Sequence, residues 1–399
     1  DAFTRQLEIP KYSRMVGMEE IEKNDWNLNL PRYIDSTEPE DLQDIEGHLS
    51  GGIPERDVEA LAEYWSVCPE LRKSLFKSNR PGYLDLAVEK GSIKQAIYDH
   101  AEFTSFLSGM ETHFVEWQGR ATTTLKALQI GCRPKESIAD LGENLLAHYK
   151  GKPLLDSYDV YQHLRDYWAE TMQDDCYLIA ADGWKAEPQR VIETKKGKEG
   201  KADKITDKGW ICDLVPKQLL VIRYFASEQT AITVLESEVE SLAAKITELE
   251  EEHGGEDGFF ESLDKIAKAE ITKRLKEIKN DSQSKDEAAV LNDWLKLSTQ
   301  ESEKKKELKD AEAALDAKAL AKYPKLTNSE VKTLVVEDKW MGALSASIHG
   351  EMERISQTLT QRLKELAERY ETTLPQSEKR VRELENEVKG HLQKMGFSW

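Results

Sequence analysis

The chain has 399 residues, 33% of them charged, and sets 56 Lys and Arg against 75 Asp and Glu for a formal net charge of −19. A chain this acidic repels a polyanion as a whole, so any contact with nucleic acid has to come from a local basic patch. No apolar run approaches the ~18 residues of a membrane span, and no signal peptide is visible.

The length allows two or three domains with real cores. Cys68, Cys132, Cys176 and Cys212 stand apart, with no CxxC and no His pair beside them. They read as reduced small hydrophobes in a cytoplasmic protein, not as a zinc site or a disulfide frame. The first residue is Asp1, which predicts a processed or truncated chain.

In chain order, a short strand is expected at residues 12–16 and a short acidic helix through Ile21. The run Asn24-Asp25-Trp26-Asn27-Leu28-Asn29-Leu30-Pro31-Arg32-Tyr33 comes next. Its Asn and Asp side chains bond nearby backbone, which predicts a structured loop with Trp26 packed inward. From Ile53 the pattern is helical, with Val58, Leu61 and Trp65 on one face. Ile93, Ile97, Phe103, Phe106, Met110, Phe114 and Trp117 form an apolar series across two helices, and Ile138, Leu141, Leu145 and Tyr149 make another. Aromatics at helical spacing without interleaved Lys or Arg predict core packing, not a base-stacking platform.

A helix capped by Asp156 or Ser157 runs through Met172, with Val160, Leu164, Trp168 and Met172 inward. Its outer face offers His163, Asp166 and Glu170, with Asp174 and Asp175 just beyond. That set reads as a solvated polar face before a divalent-metal site, because metal sites recruit ligands from several elements. Residues 176–181 read as a buried strand, with two more strands at 190–194 and 210–214. Between them, Lys195, Lys196, Lys198 and Lys201 form the one basic stretch. They are candidate DNA-binding residues at a hairpin tip, with a solvated loop as the alternative.

The strongest periodic signal lies in residues 216–252, read as one helix. Ile232, Leu235, Val239, Leu242, Ile246 and Leu249 recur at alternating steps of three and four. The β-branched residues fall at one seam position and the leucines at the other, a division that favours two-stranded packing. Such a seam needs a partner, either a returning arm of the same chain or another subunit. Further helices are expected at 259–279 and 287–322, giving an antiparallel hairpin. Tyr323-Pro324 stops it, and Thr327 to Glu330 is a capping box. Met341 to Tyr370 then gives an amphipathic helix containing Leu359 and Leu363. A last helix carries Val381, Leu384, Val388, Leu392 and Met395. The arm seam, Leu359, Leu363, Leu384 and Val388 are the candidate partner-binding residues.

The fold class predicted is mainly α, with a small antiparallel β element, a projecting coiled-coil hairpin and long C-terminal helices. Four regions are expected: 1–48, 49–215, 216–323 and 324–399. The sequence holds no GxG triplet, P-loop, GxSxG, HExxH or EF-hand loop, and no Pro-Pro, so those cofactor and catalytic motifs have no place in it. The nearest approach to an active site is Asp182 with Glu193 and Lys195, a faint echo of the metal-dependent nuclease layout.

The segment Pro10-Lys11-Tyr12-Ser13-Arg14-Met15-Val16, then Glu19-Glu20-Ile21 and Asn24 to Ile34, resembles modification subunits of type I restriction–modification systems. In that family it closes the methyltransferase domain. The likeness continues through Gly51 to Asp57, Tyr158 to Leu164 and Asp166 to Asp175, and so covers most of the chain. It implies an S-adenosylmethionine-dependent adenine-N6 DNA methyltransferase whose cofactor loop and Asn-Pro-Pro-aromatic motif lie upstream of this segment. No catalytic, cofactor-binding or metal residue carries over, and these residues alone are expected to be inactive. The resemblance further implies assembly with a specificity subunit, a second modification subunit and a restriction subunit, with DNA met through the complex. A free-standing coiled-coil scaffold is the alternative.

Overall fold

The computed structural model describes residues 2–35, 42–195, 204–255, 258–261, 263, 265–281 and 284–397. The fold is mainly helical with two small antiparallel sheets, as the periodicity predicts. In its first third lie α1 (Met18–Lys23), α2 (Ile45–Ser50), β1 (Ile53–Pro54), α3 (Pro69–Leu75), β2 (Phe76–Arg80) and β3 (Tyr83–Leu86). The middle holds α4 (Ala101–Lys126), α5 (Pro134–Tyr149), α6 (Ser157–Tyr167), α7 (Gln173–Asp182), β4 (Gln189–Lys195) and β5 (Lys204–Ile211). The last part comprises α8 (Lys217–Tyr224), α9 (Ala226–His253), α10 (Lys268–Glu277), α11 (Lys285–Lys322), α12 (Gly342–Glu371) and α13 (Leu374–Lys394).

Two compact units result. The smaller joins Asp1–Trp65, Pro69–Ala96 and Thr360–Trp399, and the larger joins Ser66–Cys68 with Ile97–Leu359. These units cut across the four regions read from the sequence, because the end of the chain returns to its beginning.

In the smaller unit the strands run in the order β1-β3-β2, with Ile53 opposite Leu84 and Phe76 opposite Leu86. The bulge between Ser78 and Arg80 turns Arg80 over the ring of Tyr83, 3.3 Å from its centroid. From there its guanidinium donates to the carbonyls of Glu46 and Gly51. Asp44 caps α2 by accepting from the Gly47 amide at 2.7 Å, and also accepts from the Tyr83 hydroxyl at 2.8 Å. These bonds, the amide first, hold its carboxyl below the ordinary range. Gly47 is a contact position: a Cβ there would meet the Tyr370 ring at 2.8 Å.

In the larger unit, Phe103, Phe106, Met110, Phe114, Trp117, Ala121 and Leu125 form the buried face of α4. Ile138, Leu141, Leu145 and Tyr149 do the same for α5. Residues 176–181 are helical, not a strand: they lie in α7, where Cys176 and Ile179 are buried while Tyr177 and Leu178 are exposed. Burial recurring every three to four residues from Met172 is a helical period. A six-residue apolar run could not announce that by itself. The expected strand at 12–16 is absent too: Ile9 and Ser13 form one isolated bridge inside a tight turn.

The helix expected over 216–252 is two helices. Phe225 departs from helical geometry (φ −132°, ψ 30°) between α8 and α9. The helix expected over 259–279 shrinks to α10, with Phe260 in the turn before it, buried with Ile271, Ile278, Leu291 and Trp294. The Thr327–Glu330 capping box forms as read, and Glu330 also takes Lys322 and the Tyr224 hydroxyl. Those bonds, the Thr327 amide first, lower the Glu330 carboxyl to about 2.

A buried ion pair ties α7 to the segment before α12. Asp175 is 3% exposed and lies 2.8 Å from the Lys339 ammonium. It also accepts from the Trp340 indole at 2.8 Å. Lys339 donates as well to the carbonyls of Asp213 and Leu214, and its own carbonyl accepts from Tyr167. Both flanks are π-helical, at Trp168–Met172 and Thr333–Met341. Burial pushes the Asp175 carboxyl up against the opposing pull of Lys339 and Trp340. Removing one partner strands a charge, whereas replacing both with apolar groups does not. Lys339→Met should therefore lower the unfolding free energy by about 3–5 kcal/mol. Adding Asp175→Leu should recover part of that loss, as read by a double-mutant cycle in denaturant.

Candidate interaction surfaces

The arm seam is covered by its own chain. Ile232 is buried, and Leu235, Val239, Leu242, Ile246 and Leu249 are half-buried. Helix α11 lies antiparallel along α9, as three cross-contacts in reverse order show: Glu228 with Lys318, Glu238 with Lys304, and Glu250 with the Trp294 indole. Ile246 and Leu249 pack on the Phe260, Ile271, Leu291 and Trp294 cluster. Exposed ion pairs of this kind are screened by water, so the apolar seam carries the stability and the charges serve the register. Of the two partners such a seam allows, the returning arm is the one in place.

The terminal helices divide the remaining candidates. Leu359 and Leu363 are fully buried. Leu384 is 42% exposed and Val388 56%. They belong to a stripe on α13 with Leu374, Val381 and the half-buried Leu392, continued by Met395 just past the helix end, and no residue of α13 is buried. A second capping box, Thr373 with Gln376, and Pro375 in the first turn make the helix start well defined. What the Leu374-Pro375 pair breaks is the preceding helix, and it opens this one. An amphipathic helix about 30 Å long with no buried residue and with Val381, Leu384 and Val388 exposed offers an unfilled surface.

A second unfilled surface, not read from the sequence, lies in the N-terminal segment. Arg14 bonds both the Tyr33 carbonyl and Glu20, and the Tyr33 hydroxyl donates to the Asn27 carbonyl. Asp25 and Trp26 take left-handed backbone conformations, φ +53° and +58°. The loop is structured, as its Asn and Asp content predicts. Its apolar side chains, however, face outward: Tyr12, Met15, Met18, Trp26, Leu28 and Leu30 are all more than half exposed. Trp26 is therefore not packed inward, and α1 buries nothing. The loop is ordered by its own polar bonds and not by a core beneath it.

Lys195 ends β4, while Lys196, Lys198 and Lys201 lie outside the described residues. Glu193 pairs across the hairpin with Lys208 at 3.3 Å. Asp182 instead lines a shallow depression with Glu187, Gln189 and Asp213 that does not include Glu193. On the α6 face, His163 turns to Glu351 at 3.6 Å, Asp166 accepts from Gln162, and Asp175 is in the buried pair. The four cysteines are free thiols, and burial raises every one of them. No helix among the described residues is long and apolar enough to cross a membrane.

The two kinds of stripe should respond differently to charge. Leu384→Asp and Val388→Asp touch uncovered positions and should change the unfolding free energy by no more than about 0.5 kcal/mol. Leu242→Asp and Leu249→Asp put carboxylates into the half-buried seam against α11 and should loosen the arm, seen as lost helical circular dichroism.

Compared with known proteins, the chain matches no family model, no curated protein and no solved structure.

Proposed function

We propose that this chain is the C-terminal, mainly helical part of a type I restriction–modification DNA adenine-N6 methyltransferase subunit, and that its task is assembly. Helix α13 lays its apolar stripe against a helical segment of the specificity subunit, and DNA is met through the resulting complex. The observation that carries this reading is the uncovered Val381, Leu384 and Val388 face on a well-capped helix.

The N-terminal segment supports the same reading from the other end. The stretch from Pro10 to Ile34 that resembles the closing segment of the methyltransferase domain is pre-shaped by polar bonds and keeps its aromatic and aliphatic side chains outside. A segment that seals a neighbouring domain needs that combination. S-adenosylmethionine and the transfer chemistry belong to that domain, and no residue here is assigned to them.

The rival scaffold reading gains little from the arm, because the seam that would recruit other coils is spent on α11. The nuclease reading draws no support from the depression that Asp182 lines, which does not include Glu193, and Glu193 meets Lys208.

Co-purification with the candidate specificity subunit tests the proposal. The wild-type chain should be retained, and Leu384→Asp combined with Val388→Asp should weaken retention by about 100-fold, the loss of roughly 3 kcal/mol of apolar contact. A wild-type chain that fails to bind, or a double variant that binds equally well, would refute the docking role.

A further inference from the structure

His113 on α4 and His148 on α5 form a reciprocal pair. Their rings stack with centroids 3.6 Å apart and planes inclined by 8°. The Nε2 of His113 lies 2.8 Å from the His148 carbonyl, and the Nε2 of His148 lies 2.7 Å from the His113 carbonyl. A carbonyl oxygen only accepts, so both Nε2 atoms carry hydrogen. The Arg120 guanidinium, which only donates, lies 2.9 Å from Nδ1 of His148. That nitrogen therefore holds a lone pair, and His148 is neutral. The edge of Tyr149 closes the site against both rings, at 5.0 and 5.6 Å.

With Glu116, these residues have the composition of a metal site. The stack argues against one. Lone pairs in near-parallel planes cannot converge on a single ion without opening the rings, and Arg120 already occupies one of the two nitrogens. The arrangement suits a different task. His148 is in the last turn of α5, where backbone carbonyls lack intrahelical donors, and the His113 ring supplies one. Positive charge is favoured there, and Arg120 provides it while His148 stays uncharged.

We propose that the His113–His148 stack is an acid-sensitive latch between α4 and α5, closed while both rings are neutral and loosened when protons enter. The inference does not rest on the assembly reading. Protonation leaves both Nε2 bonds in place but adds hydrogen at Nδ1. On His148 that hydrogen confronts Arg120. On His113 it faces Glu116, whose carboxylate is 4.0 Å away, but it puts a cation in the stack beside Lys152. Burial is the largest influence on His113 and holds its affinity for a proton below the ordinary value; the bond to the His148 carbonyl and the Glu116 carboxylate oppose it, and the charges of His148 and Lys152 add to it. Tyr149 is pushed up to about 12 and takes no part. Glu111, two positions before His113 and so on another face of α4, lies 3.8 Å from His349.

Folded His113 binds fewer protons than it does in the unfolded chain, so the contribution of its neutral ring is complete above the ordinary histidine range and is lost as pH falls below it.

Hydrogen exchange of the full chain, corrected for intrinsic rates, reads the latch. Between pH 7.5 and 5.5 the amides of α4 and α5 should lose about tenfold more protection than those of α11, a difference of about 1.4 kcal/mol. The double variant His113→Gln, His148→Gln keeps amide donors that do not titrate and should remove that excess. Arg120→Gln lets His148 accept a proton and should make the loss shallower, a check that survives if the double variant misfolds. Equal losses in α4, α5 and α11 of the wild type, or an Arg120→Gln profile unchanged from wild type, would overturn the proposal.

Discussion

An apolar stripe along a helix has to be covered, and the long helices of this chain solve that requirement in opposite ways. Along α9 the stripe is closed internally by α11, with Ile246 and Leu249 against Trp294, Leu291 and Phe260. Along α13 no residue of the stripe is buried, and Val381, Leu384 and Val388 are exposed. The contrast distinguishes a structural element from a surface held for something else. Fully burying one Leu or Val is worth about 1.5–3 kcal/mol, so three or four uncovered residues in line represent a substantial unspent driving force.

Polar groups fix the positions that apolar packing leaves open. In the larger unit the Asp175–Lys339 pair, with the Trp340 indole and two backbone carbonyls, satisfies every strong partner it buries. The π-helical turns at Trp168–Met172 and Thr333–Met341 lie beside it. Such turns insert an extra residue and re-aim the helical turns beyond them. In the smaller unit Arg80, Tyr83 and Asp44 play a comparable part around the start of α2. There Gly47 admits the Tyr370 ring at a distance no side chain would allow.

Much of this was legible from residue order, and the exceptions have physical causes. Heptad spacing located α9, and the amphipathic patterns of α12 and α13 were clear, since each repeats over several turns. The β2–β3 hairpin was not visible, because only Phe76 of β2 is buried and the rest shows no alternation. The break at Phe225 has no Gly or Pro to mark it. Cys176 to Ala181 misled because a short apolar run looks alike as strand or helix until its neighbours are known. For the surfaces, periodicity showed which residues form stripes but not which stripes are already occupied. Leu359 and Leu384 look equivalent in the sequence, yet one is fully buried and the other 42% exposed. The outward-facing Trp26, Leu28 and Leu30 were hidden for the same reason, as aromatic and aliphatic residues in a turn-rich segment ordinarily point inward. The His113–His148 stack joins residues far apart in sequence and carries no local signature.

The most direct measurement is hydrogen exchange across α13 and the α9–α11 arm, with the chain alone and then mixed with the candidate specificity subunit. The account predicts that α9 and α11 are protected from the start and unchanged by mixing, while the amides of α13 gain protection only when the partner is present. Protection of α13 in the isolated chain equal to that of the arm, or a gain in the arm with none in α13, would contradict it.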